Sequence, residues 1–375
     1  MKMLWALRRF RKSVQDYGLQ RALAKASGRL GFGLHQKAKA VQRTKSVSVI
    51  GCGQAAYATI CFFIAKKEGA VFLDCYDPDT EAAHRLQSHY GFDKVTHSAA
   101  EIFENPQLQH LVIASNHASH TGYAIAGLEQ GLQVFCEKPL CTTHEQLAQL
   151  DAAVKTSAGK LWAGFNRPYA PATAFIAAKI RDCRQPLTLH AYVHGHFLPA
   201  DHWYRKPEEG TRISGNMGHW IDLAVHLMAV RGVMPKTFTL TLCAANPTLP
   251  KDDNVVLVMT TDLDDLVSIS LNARQEPFGG IRETIELQWG DFSAQILDFK
   301  ELHWWEGSRQ GTEKYPHKDP GHAALVQSFL AGGDLSSRWG EVALSTALTL
   351  HAADLARNAT ANTCTVDALT LALRP

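Results

Sequence analysis

The chain has no apolar run near the ~18 to 20 residues that a membrane span requires. Stretches such as 47–50 and 111–114 have instead the length of buried strands. It has no Cys-x-x-Cys pair. Its cysteines, at 52, 61, 75, 136, 141, 183, 243 and 364, are scattered, which excludes a tight disulfide framework and fits free thiols in a reducing, cytoplasmic compartment. The continuous apolar core and small-residue cleavage site of a secretory signal are missing. No basic nucleic-acid motif occurs beyond the first 46 residues, so nucleic acid is not an expected partner. Acid is nearly missing from the opening segment: residues 1–46 hold twelve Lys/Arg and one acid, Asp16, a net of +11 that leaves −9 for the remainder. Arm and body are therefore electrostatically distinct.

What remains is ordinary globular material. A length of 375 residues, 46% hydrophobic and 20% charged, excludes a disordered or collagenous chain and suggests two domains with an appendage. We place the boundaries at 1–45, 46–165 and 166–375. In the arm, Leu4, Leu7, Phe10, Val14 and Tyr17 recur at steps of three and four with Arg8, Arg9, Arg11 and Lys12 between them, the pattern of a basic amphipathic helix. Such a helix fits a peripheral contact with an anionic membrane surface or an acidic partner. It fits equally an extension packed on its own body or on a second subunit. An organelle transit segment is a third reading.

Residues 46–50, Ser-Val-Ser-Val-Ile, form a β-branched run followed at once by Gly51-Cys-Gly-Gln-Ala-Ala56 and a helical stretch over 57–67. Strand, glycine turn and helix in that order make a dinucleotide cradle. Gly51 allows the sharp turn, Gly53 lets the backbone approach a pyrophosphate, and Ala56 allows close strand–helix packing. The phosphates then sit on the helix N-terminus. A second strand over 71–76 ends at Asp77, 24 residues after Gly53, near the ~20 expected for a carboxylate that grips the ribose hydroxyls. That carboxylate would repel a 2′-phosphate, so NAD(H) is expected over NADP(H). Asp77-Pro-Asp79 is also good turn chemistry, and both roles are compatible. Further alternation (strand 109–114, helix 123–130, strand 132–136) predicts a parallel sheet. Ser115-Asn116-His117, His120 and Glu137-Lys138-Pro139 fall at its strand C-termini, where functional residues belong.

The chain resembles the Gfo/Idh/MocA family of sugar, inositol and related dehydrogenases. The resemblance rests on Gly51–Ala56, Ile113-Ala-Ser-Asn-His-Ala-Ser-His120, Gly131-Leu-Gln-Val-Phe-Cys-Glu-Lys-Pro139, Gly164-Phe-Asn-Arg167 and Gly218-His-Trp-Ile-Asp222, in the family's order over roughly 46–360. It implies an α/β chain: an N-terminal Rossmann parallel sheet followed by an α+β domain with a large open, mainly antiparallel sheet that pairs into homo-oligomers. It implies NAD as cofactor and a small carbohydrate as substrate, with Lys138 and His219 catalytic. Lys138 would stabilise alkoxide character on the reacting oxygen. His219 would take the hydroxyl proton and return it. It further implies cofactor contacts from Gly51, Gly53, Gln54, Ala55, Ala56, Asp77, Ser115, Asn116, His120, Glu137, Lys138, Asn166 and Arg167. Substrate contacts fall to Lys138, Tyr169, Trp203, Arg205, Asn216, His219 and Asp222. His226 is read as core.

Two positions depart from the family pattern. Many members carry Asp four residues before the histidine, where this chain has Gly215, and the neighbouring Asn216 cannot carry a proton at neutral pH. Either Lys138 and His219 suffice with Asn216 orienting substrate, or the chemistry differs. The paired Arg-Arg is reduced to Arg167-Pro168. Strands are expected at 187–196, 237–243, 254–260, 266–273, 284–288 and 293–298. His190, His194, His196 and His202 are read as lining a substrate cleft; no metal site is expected, since no acid or cysteine lies at suitable spacing. Competing readings are an NAD-dependent glycosidase that oxidises its sugar transiently, and a cofactor-binding regulatory protein without turnover.

Overall fold

The computed structural model describes residues 2–30, 44–181, 183–246, 248, 250–332 and 336–368. Residues 31–43 of the basic arm lie outside them. The chain divides into two compact units, one of Met1–Leu140, Ala148–Gly164 and His322–Ser337, the other of Cys141–Leu147, Phe165–Gly321 and Arg338–Pro375.

The first unit opens with α1 (Lys2–Tyr17) and α2 (Leu19–Leu30). Then come β1 (Val47–Ile50), a π-helical turn over 56–60, α3 (Cys61–Glu68), β2 (Phe72–Tyr76), α4 (Thr80–Tyr90), β3 (Lys94–Val95), α5 (Ala99–Phe103), β4 (His110–Ile113), α6 (His117–Glu129), β5 (Gln133–Cys136), α7 (His144–Thr156), whose first turn through Leu147 belongs to the second unit, and β6 (Lys160–Ala163). The strands form one sheet in the order β3-β2-β1-β4-β5-β6, every neighbouring pair parallel. All four residues of β1 are buried, as a strand covered by helices on both faces requires. Strand order reverses between β1 and β4, which puts the ligand crevice of such a sheet beyond the C-terminal ends of those strands. Local chemistry fixes the helix starts: the Asp79 carboxylate accepts from the N–H groups of Glu81 and Ala82, both at 3.1 Å, and caps α4.

The arm is helical. Its second helix packs on the 56–60 turn, with the Arg21 guanidinium 5.0 Å from the Tyr17 ring centre and 4.8 Å from that of Phe63. α1 leaves Leu7 of its expected stripe 59% exposed, and Trp5, outside that stripe, is 51% exposed.

The second unit holds α8 (Pro171–Ile180), β7 (Leu187–His194), α9 (Gly218–Val230), β8 (Thr237–Ala244), β9 (Asn254–Thr261), β10 (Leu266–Asn272), β11 (Arg282–Trp289), β12 (Phe292–Leu297), β13 (Glu301–Glu306) and β14 (Arg309–Lys314). The chain then supplies α10 (His322–Ala331) to the first unit and returns with α11 (Ser336–Arg357) and β15 (Thr363–Asp367). Nine strands run β14-β13-β12-β11-β7-β10-β9-β8-β15. All pairs described are antiparallel except β7 with β10. Leu187, Leu189, Ala191 and Val193 point into the core beside α8 and α9 while Thr188, His190 and Tyr192 face out, the two-residue period of a half-covered strand. β3, β6, β13, β14 and β15 were not expected. β14 (Arg-Gln-Gly-Thr-Glu-Lys) has no apolar alternation because, as an edge strand, it is polar on both faces.

Candidate functional site

In the first unit the cradle is built by close approach. Gly51 has φ of +92°, and a Cβ there would stand 2.3 Å from the Ser115 nitrogen and 2.4 Å from the Ala114 carbonyl carbon. No L side chain fits both constraints. A Cβ at Gly53 would meet no atom within 4 Å, so the outer face of the turn is open. Ala56 is fully buried, whereas Gln54 and Ala55 are exposed. Asp77 lies just past β2 with its Oδ2 accepting from the Cys52 N–H at 2.7 Å and its Oδ1 from the Asp79 N–H at 2.8 Å. It is at once a turn residue and a carboxylate fixed beside the glycine turn. These residues fit a dinucleotide on geometric grounds: an open backbone turn for phosphates, with an oriented acid next to it for ribose hydroxyls.

Beyond β4 and β5, tight local bonding orders the loops. The His120 ring nitrogens lie 2.8 Å from the Pro139 carbonyl oxygen and 3.1 Å from that of Ser115, so this buried histidine ties the two loops together. The Ser115 and Ser119 hydroxyls are 2.7 Å apart, and Ser119 Oγ lies 2.8 Å from Asn116 Oδ1. Glu137 and Lys138 follow β5, both half-buried, and Lys138 precedes a cis proline. The Lys138 N–H donates to Glu137 Oε2 at 3.2 Å. Burial pushes the Glu137 carboxyl up, against the opposing charge of Lys138. A Cβ at Gly164 would come within 2.9 Å of Glu137 Cα and of the Lys138 nitrogen, so the residue that follows β6 must be glycine to seat this pair.

In the second unit His219 stands in the first turn of α9, half-buried, its ring 6.0 Å from both the Phe165 and Trp220 rings. A π-helical turn, Ile213–Met217, precedes it. Within that turn Gly215 is pressed against Tyr204: a Cβ on Gly215 would fall 1.6 Å from the Tyr204 hydroxyl oxygen and 2.2 Å from Cζ. That hydroxyl donates to Asn216 Oδ1 at 3.2 Å. The place an acidic side chain would leave position 215 from is thus filled by a phenol. Burial pushes the Tyr204 hydroxyl up, so it is protonated at neutral pH.

Several expected contacts are engaged elsewhere. Arg167 makes a buried two-pronged pair with Glu283 (2.9 and 3.1 Å) and lies over the Trp220 ring at 4.5 Å. Asn166, fully buried, donates to the Pro320 carbonyl at 2.6 Å. Asp222 is fully buried; Arg338 donates to it at 2.9 Å and Ser345 at 3.0 Å. Burial raises its carboxyl and Arg338 opposes that shift. Tyr169 lies under the Arg338 guanidinium, 5.6 Å from its ring centre. Arg205 spends its charge on Asp253 (2.8 Å) and on the carbonyls of Leu198 and Pro199, and Trp203, 42% exposed, packs beside the His202 and Tyr204 rings. His190 and His194 sit on the outward face of β7, bonded to Ser268 and Tyr192, and His196 bonds Glu276. The cleft reading of these histidines fails for His190 and His194, because strand alternation turns them to the uncovered side of the sheet. His226 pairs with Glu341 at 2.9 Å.

Sequence reasoning missed Tyr204 and Arg338. Neither lies in a motif. Gly215 in place of an acid was the one local sign that something else fills the space.

Residues 45–165 match the family described as GFO_IDH_MocA, an oxidoreductase family with an NAD-binding Rossmann fold. The chain is 30% identical over 128 residues to an inositol 2-dehydrogenase of Ralstonia nicotianae, covering 34% of this chain and 38% of that enzyme. It is 25% identical over 181 residues to the scyllo-inositol 2-dehydrogenase (NAD(+)) of Bacillus subtilis, covering 48% and 50%. The matched stretches thus span at most half of either relative. The fold is shared over a greater length: a levoglucosan dehydrogenase, solved with NADH and levoglucosan, superposes with a TM-score of 0.69 over 86% of this chain and 99% of its own, at 18% identity. Residues 45–165, which carry the glycine turn, the oriented Asp77 and the Glu137-Lys138-Pro139 loop on a parallel sheet, are thus similar to an oxidoreductase family with an NAD-binding Rossmann fold.

Proposed function

We propose that the chain is an NAD(H)-dependent oxidoreductase moving a hydride to or from a carbinol carbon of a sugar, cyclitol or nucleotide-sugar, with Lys138 and His219 as its catalytic residues. The observation that carries this reading is the Asp77 carboxylate held on the Cys52 N–H at 2.7 Å beside the open Gly53 turn. The nicotinamide supplies the hydride acceptor or donor. Gly51, Gly53 and the N–H groups from Gln54 to Ala56 receive the pyrophosphate, and Asp77 takes the ribose hydroxyls. Ser115 and Asn116 contact the cofactor, and Glu137 lines its nicotinamide side. Lys138 donates to the reacting oxygen and stabilises alkoxide as the neighbouring C–H weakens, and His219 moves the hydroxyl proton. The Tyr204 phenol, bonded to Asn216 at 3.2 Å, stands beside Gly215, the position where the family resemblance implies a carboxylate. Trp203 offers a flat apolar face of the kind that suits a sugar ring.

The relatives' named substrates, inositols, motivate the cyclitol arm of the proposal. The outward sheet face, carrying Tyr192 (45% exposed), Leu266 (44%) and Trp305 (42%), supports pairing between copies of the chain. Arg8, Arg11, Trp5 and Leu7, all exposed on α1, support a peripheral contact with an anionic surface.

The test is direct: measure NADH binding by fluorescence, then follow nicotinamide absorbance with inositols, monosaccharides and nucleotide-sugars, using Lys138→Met as control. Substrate-dependent change lost in that variant, with NADH affinity kept, supports the reading. Failure to bind NADH, or release of free sugar with no net NADH formed, overturns it.

A further inference from the structure

Two histidines and a carboxylate meet on the surface of the second unit, apart from every residue assigned above. His144 opens α7, in the stretch Cys141–Leu147 that belongs to this unit. His351 and Asp354 lie on α11, three residues apart and hence on one helix face. His144 Nε2 stands 2.9 Å from Asp354 Oδ2, across 210 residues of sequence. The His144 and His351 ring centres are 4.6 Å apart. One ligand atom from each of the three residues lies within 4.8 Å of the other two.

We propose that His144, His351 and Asp354 bind a late first-row divalent cation, with zinc as the reference ion, which clamps the first turn of α7 to α11. The donor set is the argument. Two imidazole nitrogens and one carboxylate oxygen are the ligands such ions prefer, with water free to complete the shell. Ligand distances of about 2.0–2.2 Å in tetrahedral geometry separate donor atoms by roughly 3.3–3.5 Å. The 2.9 Å pair must open slightly and the wider separations, all within 4.8 Å, must close. Exposure permits both adjustments, since the side chains of His144 and Asp354 are 44% and 53% exposed and His351 is half-buried. A plain surface ion pair accounts for less. It needs one histidine, whereas here a second imidazole stands beside the first and repels it when both are protonated. Arg357 approaches Asp354 through Oδ1, at 3.7 Å, and leaves Oδ2 on the histidine side.

The sequence offered no sign of this site. Motif searching weighs histidines a few residues apart, and these ligands come from two helices far apart in the chain.

The experiment uses the full-length chain without a histidine tag, stripped with EDTA and titrated with zinc chloride by calorimetry, without substrate or nicotinamide. The expected result is one zinc per chain with Kd of roughly 10 μM or tighter and a raised Tm on binding. Cobalt(II) substitution should give visible absorption bands. His144→Ala, His351→Gln and Asp354→Asn should each weaken zinc by at least about tenfold. Arg357→Ala and His194→Ala should leave zinc binding unchanged. Circular dichroism verifies that each variant is folded, and two different substitutions at a position keep the test open if one is not. No binding to the unsubstituted chain, or binding indifferent to all three ligand substitutions, overturns the proposal. Either result is independent of whether the chain oxidises a sugar.

Discussion

The Tyr204 hydroxyl oxygen lies 1.6 Å from the point a Cβ of residue 215 would occupy. Gly215 and Tyr204 are therefore one steric unit, and a side chain at position 215 is blocked by the phenol. Gly215→Asp should destabilise the chain by about 1–3 kcal/mol through overpacking, read as a lower urea midpoint. Adding Tyr204→Ala should recover part of that loss. Additive losses in the double variant would disprove the coupling.

Under the proposed function, Asp77 carries the cofactor preference. Asp77→Ser removes the acceptor for the Cys52 N–H and the carboxylate offered to the ribose. NADH affinity should fall by about tenfold or more, about 1.4 kcal/mol, while NADPH affinity holds or rises because the repulsion is gone. Fluorescence titration with both cofactors measures the ratio; an unchanged ratio counts against the assignment.

His219→Gln should lower kcat by about 10²–10⁴-fold, the usual worth of a general base, with NADH affinity unaltered. If turnover survives intact, the proton is handled elsewhere and Asn216 or Tyr204 becomes the group to test.

Glu283 sets an acid limit. Burial raises its carboxyl, but Arg167 and Lys318, with hydrogen bonds from Arg167 and Trp220, outweigh that and hold it below the usual range. A depressed folded pKa contributes stability that is present above the unfolded value, about 4.3 for Glu, and lost as pH falls through the folded value. Glu283→Gln should cost about 3–5 kcal/mol at pH ~7, since it leaves a buried guanidinium unpaired. The gap between wild type and variant should narrow below about pH 4. Urea unfolding at both pH values decides it, and a constant gap would be the contrary result.

The arm gives a fifth expectation. Because Arg8, Arg11, Trp5 and Leu7 are exposed on α1, the full chain should co-sediment with phosphatidylglycerol vesicles and not with phosphatidylcholine. Raising salt from about 0.1 to 1 M, where the Debye length drops from ~10 to ~3 Å, should weaken that binding. Arg8→Glu with Arg11→Glu should abolish it; retention by neutral vesicles would refute the electrostatic reading.

Sequence alone determined what depends on neighbours along the chain. The strand, glycine turn and helix around Gly51, the parallel alternation after it, and Asp77 at the end of its strand are legible because backbone preference and side-chain period act locally. The tertiary structure alone decided which side chains are spent and which are offered. Arg167, expected at the cofactor, neutralises Glu283; Asp222, expected at the substrate, is held by Arg338; the outward histidines of β7 face away from the core. Pairing of charges and filling of space between distant residues have no period and leave no pattern in the sequence. For that reason the glycine at 215 read as a loss until Tyr204 was seen to stand in its place.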